Sequence, residues 1–452
     1  MTLPPLYLPP QWPGRYDRRV GALFAFRAGD GVENPLAGNP LVPSRSYEER
    51  QWGTNGYITR IGANLPRYCP VDLDGDFAFD RLALRVDSGS LNYAESSSDV
   101  TNATFWTANN APSVGGTVNL GEFSLQEVID DSASLLENYE QTFAIGVLSS
   151  ATTPVLSIFT CMGATGTTTN QGSVRLRNVT DSVDIVLATI QYASATAIPT
   201  ITPSTGTLIG VTFHCDVLTR WGMRRVWRAE FLGSAAINTS KSYALRLAAA
   251  NTAAQTNSMF FGGSQIELGI GSATGMMDSS GGANGARSTG DIYEAALDWR
   301  WSEGRALTAY LDIVAPRGIH QVSSAGNLFG VVGGSGASFT DILQIGSSGT
   351  NFRVKANATT QAATGATPSH MQRTKLRAVL RQDSTAYLGV KIASGAEVVS
   401  AVSAATTHAT TLGTGPKVQL RSDLGACCLV LGGAVMLGER SMAECESVVG
   451  IP

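Results

Sequence analysis

Apolar side chains recur in this chain at every second residue, in short runs. Val211, Phe213 and Cys215 alternate with Thr212 and His214, and Leu307, Ala309, Leu311 and Ile313 alternate with Thr308, Tyr310 and Asp312. Successive side chains of a strand point to opposite faces, so this period of two marks sheets that bury one face. Clusters of Ser, Thr, Gly and Asn separate the runs and read as turns. Many short strands with no crossover helices between them predict sandwiches or jelly rolls. The fold class expected is all-β: a small N-terminal β module followed by two β-sandwich domains.

At 452 residues the chain has room for two or three domains. Residues 1–93 read as a Pro-rich arm and a small attachment module. Prolines 4, 5, 9, 10 and 13 keep the first twenty residues extended. Leu6, Tyr7, Leu8 and Trp12 make that stretch a candidate docking arm for a neighbouring subunit, or a strap over its own domain. Residues 94–270 read as the first sandwich, with 124–139 open between helix and loop. Residues 271–289, rich in Gly, Ser and Ala, read as a linker that cannot pack a core. Residues 290–452 read as the second sandwich. It closes on a short helix at 441–449, with Ser441 as N-cap and Glu444 three residues on, a capping box.

Only 15% of the residues are charged and 49 are glycine, so the surface is built largely of small polar side chains. The net charge of −4, without a basic face, argues against a nucleic-acid partner. No run approaches the ~18 apolar residues of a membrane span. The N-terminus lacks the basic start and apolar run of a signal peptide. The six cysteines form no CxxC spacing and read as reduced, mostly buried thiols.

Catalytic and cofactor patterns are sparse. The histidines, His214, His320, His370 and His408, fit no metal-binding spacing. No nucleophile elbow, phosphate loop or dinucleotide fingerprint occurs in its strand–helix setting. Asp72, Asp74 and Asp76 have the spacing that opens a calcium loop, but the distal position falls on Ala83, so a turn is expected. Glu127, Asp130 and Asp131, and Glu137 with Glu140, could form the acid pairs of a glycosidase, yet read more simply as a solvated acidic face. Trp299 and Trp301 share one face of a strand and suit sugar stacking, or a core or interface position for at least one of them; Gln265 and Glu267 alternate outward on theirs, for a contact or only to satisfy backbone or surface groups. These four are the candidate glycan or partner contacts. No cofactor and no metal are expected.

Several segments resemble tail-fibre and appendage proteins of bacteriophages and prophages. The connector between attachment and display parts of that family is similar to Tyr57-Ile58, Ala63–Tyr68, Asp72–Asp76, Leu91–Tyr93, Glu95-Ser96 and Phe105-Trp106 here. It differs at Leu84-Arg85 and Asp87-Ser88. Trp221–Val226 and Phe260–Gly269 resemble strands of the family's carbohydrate-binding-module-like sandwich. Residues 375–390 with 437–444 resemble a concanavalin-like or laminin-G-like jelly roll. The resemblance implies a non-enzymatic virion protein, assembled in the host cytoplasm and joined to other virion proteins through its N-terminal region. It implies a homotrimer that displays lectin-like domains to a host-surface glycan. The alternatives are a capsid decoration, head-fibre, collar or baseplate subunit without receptor binding, and a carbohydrate-active enzyme.

Overall fold

The computed structural model describes residues 22–33, 35–44, 49–52, 57–74, 76, 79–164, 170–219, 222–253, 255–277, 279, 285–287, 290–297, 305–315, 326–337, 340–348, 351–357, 359–363, 367–403, 413–422 and 428–451. Among them the strands form four large antiparallel sheets and two short hairpin-like pairs. Among the described residues the chain is all-β apart from one α-helix, Met442–Val449, and a 3₁₀ turn at Ala28–Asp30. No helix among the described residues is long and apolar enough to cross a membrane.

One sandwich is inserted in the other. The inserted sandwich stacks two six-stranded sheets. One runs Thr207–Thr219, Gly222–Leu232, Pro154–Met162, Asn257–Leu268, Ser124–Asp130, Ser113–Asn119; the other runs Thr200–Thr205, Val183–Gln191, Gln171–Asn178, Tyr243–Ala248, Asn138–Phe143, Thr107–Asn109. Their facing side chains close a core around Trp106, Trp227, Phe231 and Tyr243. The segment 124–139 is strand at both ends, not helix or a single loop. Val128 enters this core and Leu125 a second cluster with Ile58 and Phe123, while Glu127 between them is also buried, which breaks the simple alternation in the sequence.

The framing sandwich draws its strands from both ends of the chain. Its long strand Cys428–Leu437 pairs along one edge with Leu307–Ala315. Along the other it pairs with Ala22–Arg27 and Arg81–Val86. In the facing sheet, Val42–Ser44 extends Ile292–Ala296. Phe24 and Phe26 sit in the core against Phe329, with ring centroids 6.5 and 6.4 Å from it. The N-terminal strands are therefore not a separate attachment module. Their apolar faces have no partner sheet of their own and bury against strands more than 200 residues away. Between them, Glu49–Trp52 and Ile58–Ile61 pair with each other and reach the inserted sandwich, where the Ile58 N–H donates to the Leu120 carbonyl.

The stretch 271–289 is likewise not a free linker where it is described. Ala273, Met276 and Met277 are buried, and Gly285–Arg287 pairs with Ser90–Asn92. Gly and Ser alone would leave this segment loose, but its few apolar residues fill gaps between the sandwiches: Ala273 beside Val155 and Ile209, Met276 beside Ile58 and Phe123. The closing helix matches its sequence signature. Ser441 N–H donates to Glu444 Oε2 at 2.8 Å, Glu444 N–H donates back to Ser441 Oγ at 3.3 Å, and Gly450 ends the helix at φ 64°.

The nesting is testable by truncation. A chain of residues 290–452 lacks Phe24, Phe26 and the strands that cover one edge of Cys428–Leu437. Losing two buried phenylalanines alone removes about 3–6 kcal/mol of burial. This fragment should show no cooperative thermal transition by calorimetry; a sharp melt from it would refute the nested arrangement.

Candidate ligand cleft between the two sandwiches

The chain leaves the framing sandwich after Arg81–Val86 and returns at Asp291, and the two crossings meet in a buried ionic clamp. Arg67 is fully buried. Its Nη1 donates to Asp87 Oδ2 at 3.0 Å and its Nη2 to Asp291 Oδ2. Arg85 Nε donates to the same Asp87 oxygen at 2.8 Å. The backbone joins in: Asp87 N–H donates to Asp291 Oδ2, Asp291 N–H to the Asp87 carbonyl, and Gly275 N–H to Asp87 Oδ2. Two guanidiniums and two carboxylates balance in charge, and two backbone N–H groups add donors to Asp87 Oδ2 and Asp291 Oδ2.

A row of polar side chains on the inserted sandwich continues the junction. Gln265 and Glu267 are both fully buried. Glu267 accepts from Thr274 N–H at 3.0 Å, Thr274 Oγ1 at 2.6 Å, Ser90 Oγ at 2.8 Å and Gln265 Nε2 at 3.1 Å. Gln265 Oε1 accepts from Met277 N–H. Both side chains do point away from their own sandwich core. The returning segment covers that face, so neither can touch a glycan or an external partner. Trp299, Trp301, Leu6, Tyr7, Leu8 and Trp12 lie outside the described residues.

Beside the clamp opens a cleft of about 860 Å³. The framing sandwich contributes Cys69, Cys428 and Leu429, the turn at Asp72 and Asp74, and the cations Arg373, Lys375 and Lys391. Val211, Thr212, Arg228 and Glu230 of the inserted sandwich face them. His370 reaches across at Gly210, where any Cβ would run into its ring. Glu230 Oε2 accepts from Ala273 N–H at 3.2 Å, and Arg228 Nη2 donates to Ser157 Oγ at 2.8 Å while its guanidinium lies 5.3 Å from the centre of the Phe159 ring. Burial opposes ionisation of Glu446, but bonds from Lys391 and Lys375 outweigh it and hold the carboxyl below its ordinary value. Asp312 goes the other way: burial pushes its carboxyl up against the pull of Arg373.

The acidic groups singled out in the sequence are structural. Asp74 N–H donates to Asp72 Oδ1 and Asp76 N–H to Asp74 Oδ1, two successive Asx turns. Asp72, Asp74 and Asp80 bring one carboxylate oxygen each within 4.8 Å of one another, and Asp80 accepts from Leu73 N–H. Glu127 is not on a solvated face: buried, it accepts from Gly116 N–H, Ala164 N–H and Ser258 Oγ at 2.6–2.9 Å. Asp130 and Glu137 clamp one turn reciprocally, Asp131 N–H donating to Glu137 and Glu137 N–H to Asp130. Cys69, Cys161, Cys428 and Cys445 are buried.

Neither the clamp nor the cleft was singled out from sequence. Arg85 and Asp87 share a strand face two residues apart, a weak signal. Arg373, Lys375 and Arg377 alternate along one strand, a stronger sign that one sheet face is cationic.

No family model matches the sequence, and no curated protein matches it. Among solved structures, domains LG4-5 of the mouse laminin alpha1 chain align with 73% of this chain and 90% of that chain, at 12% identity and a TM-score of 0.20. A TM-score that low carries no argument, and the all-β class rests on the sheets themselves.

Removing one member of a buried ion pair typically costs about 3–5 kcal/mol. Arg67→Met should therefore lower the unfolding free energy by about that amount in urea titrations. Separately, burial pushes Asp130 up to about 6, with repulsion from Glu137 opposing its backbone hydrogen bonds. A carboxyl harder to ionise folded than unfolded stabilises the fold only while protonated. This contribution is full below pH 3.8 and lost as pH rises through about 6. Asp130→Asn should flatten that interval of the stability–pH profile, read from melting temperatures.

Proposed function

We propose that this chain is a non-enzymatic structural protein of a phage virion, a tail fibre or appendage that displays its sandwiches for attachment to a host surface. The observation that carries the reading is the locked pairing of two sandwiches through a buried ionic clamp, which makes one stiff body with a cleft between its halves. The sequence likeness to tail-fibre connectors at Ala63–Tyr68 and to a carbohydrate-binding strand at Phe260–Gly269 supports the same reading. Glu127, Asp130 and Glu137, three of the five carboxylates that would suit hydrolysis, hold backbone amides instead, which favours display over catalysis. In this reading the N-terminal residues, with Leu6, Tyr7, Leu8 and Trp12, dock on other virion proteins. The chain assembles as a homo-oligomer, a trimer by family likeness, and repetition of weak sites supplies avidity.

Antibodies against the purified chain test this on intact particles. Gold label should fall along tails or appendages in negative-stain images, with peptides of the chain in the particle fraction. Label confined to capsid shells would replace the reading with a decoration subunit. Absence from the particles altogether would overturn it.

A further inference from the structure

One wall of the cleft carries a cation arrangement that the fold alone does not require. Lys375 and Lys391 lie directly across from each other on neighbouring strands. Like charges so placed destabilise a sheet. Arg373 stands two residues from Lys375 on the same face. Two carboxylates answer these three cations. Asp312 takes Arg373 at 2.8 and 3.2 Å. Glu446 takes both lysines on one oxygen, at 3.1 and 3.0 Å. Within this group of five one positive charge is left over, and the Lys391 side chain remains 28% exposed. The rest of the lining is mixed: apolar Val71, Val211 and Leu429 lie among polar groups, with Asp72 and Asp74 at one lip and Thr212 on the inserted sandwich. No Trp, Tyr or Phe lines the cleft among the described residues, so it lacks the stacking face that a neutral sugar would use. At about 860 Å³ it is the size of a small-molecule site, which commonly spans ~300–1,000 Å³.

We infer that this cleft binds an acidic saccharide, with a sugar carboxylate against Arg373, Lys375 and Lys391 and hydroxyls toward Asp72, Asp74 and Thr212. The inference rests on the attachment reading and names its ligand class. Its test needs no particle, so either can fail alone.

The test is calorimetric titration of the full chain with digalacturonate and sialyllactose as acidic probes, lactose as the neutral counterpart and inorganic phosphate as the bare anion. At least one acidic sugar should bind, more weakly at high salt, while lactose and phosphate give little heat. Hydrogen bonds to charged groups are worth about 1.5–3 kcal/mol, so Lys391→Gln should weaken binding about tenfold or more. Thr212→Val, on the opposite wall, should weaken it too, and Lys355→Gln, in the facing sheet of the framing sandwich, should not. Circular dichroism checks that each variant folds. Lactose binding as tightly as sialyllactose, or phosphate as tightly as either acid, would overturn the inference. So would no heat from either acidic sugar, or affinity unchanged in folded Lys391→Gln and Thr212→Val.

Discussion

The architecture depends on the contact of Arg67 with Asp87 and Asp291. An inserted domain has two crossings, and each is a place where it could swing. Here both crossings present an aspartate to the same guanidinium, which comes from a third segment of the framing sandwich. Fixing one crossing fixes the other, because Asp291 N–H also donates to the Asp87 carbonyl and Asp87 N–H to Asp291 Oδ2. A buried pair of this kind adds little net stability compared with apolar packing, since desolvation offsets most of the attraction. Its physical consequence here is directional: guanidinium and carboxylate groups satisfy each other in few geometries, so the crossings have one register.

That register sets the cleft. Its walls belong to different sandwiches, and its shape is defined only while they keep one orientation. The clamp holds that orientation at one end, as Arg85 both grips Asp87 and lines the cavity. His370 against Gly210 holds it further along, where glycine is the one residue that leaves room for the ring. The hairpin of Glu49–Trp52 and Ile58–Ile61 adds a third tie through Ile58. A site assembled this way is preorganised by covalent topology and packing together, so ordering its walls does not draw on binding energy.

What the sequence makes legible is local. The period of two gives the strands, and the Ser441–Glu444 spacing gives the capped helix, because both depend on residues a few positions apart. The Asp72–Asp76 turn is legible for the same reason. Partner choice between distant strands is not. Nothing in Ala22–Arg27 distinguishes a partner nearby from Cys428–Leu437, so the N-terminal strands look self-contained when read in order. Gln265 and Glu267 illustrate a second limit. Alternation correctly turns them away from their own core, but it is silent on whether another segment of chain lies over that face.

The polar character of the junction follows from the same geometry. A sheet face that would meet water in an isolated sandwich carries Ser157, Arg228, Glu230, Gln265 and Glu267, and all five are buried. An apolar face would have bound the returning segment more tightly but in many registers, and would be prone to sticking whenever it was exposed before the sandwiches docked. Hydrogen-bonding groups stay solvated until their particular partners arrive: Thr274 and Ser90 for Glu267, Ala273 for Glu230, Met277 for Gln265. The small residues of 271–279 then suit the task, because they let the backbone come close enough to donate its own N–H groups. On this view a glycine- and serine-rich composition marks the segment as one that must lie flat between two sheets, and its hydrogen bonds make the junction between the sandwiches specific.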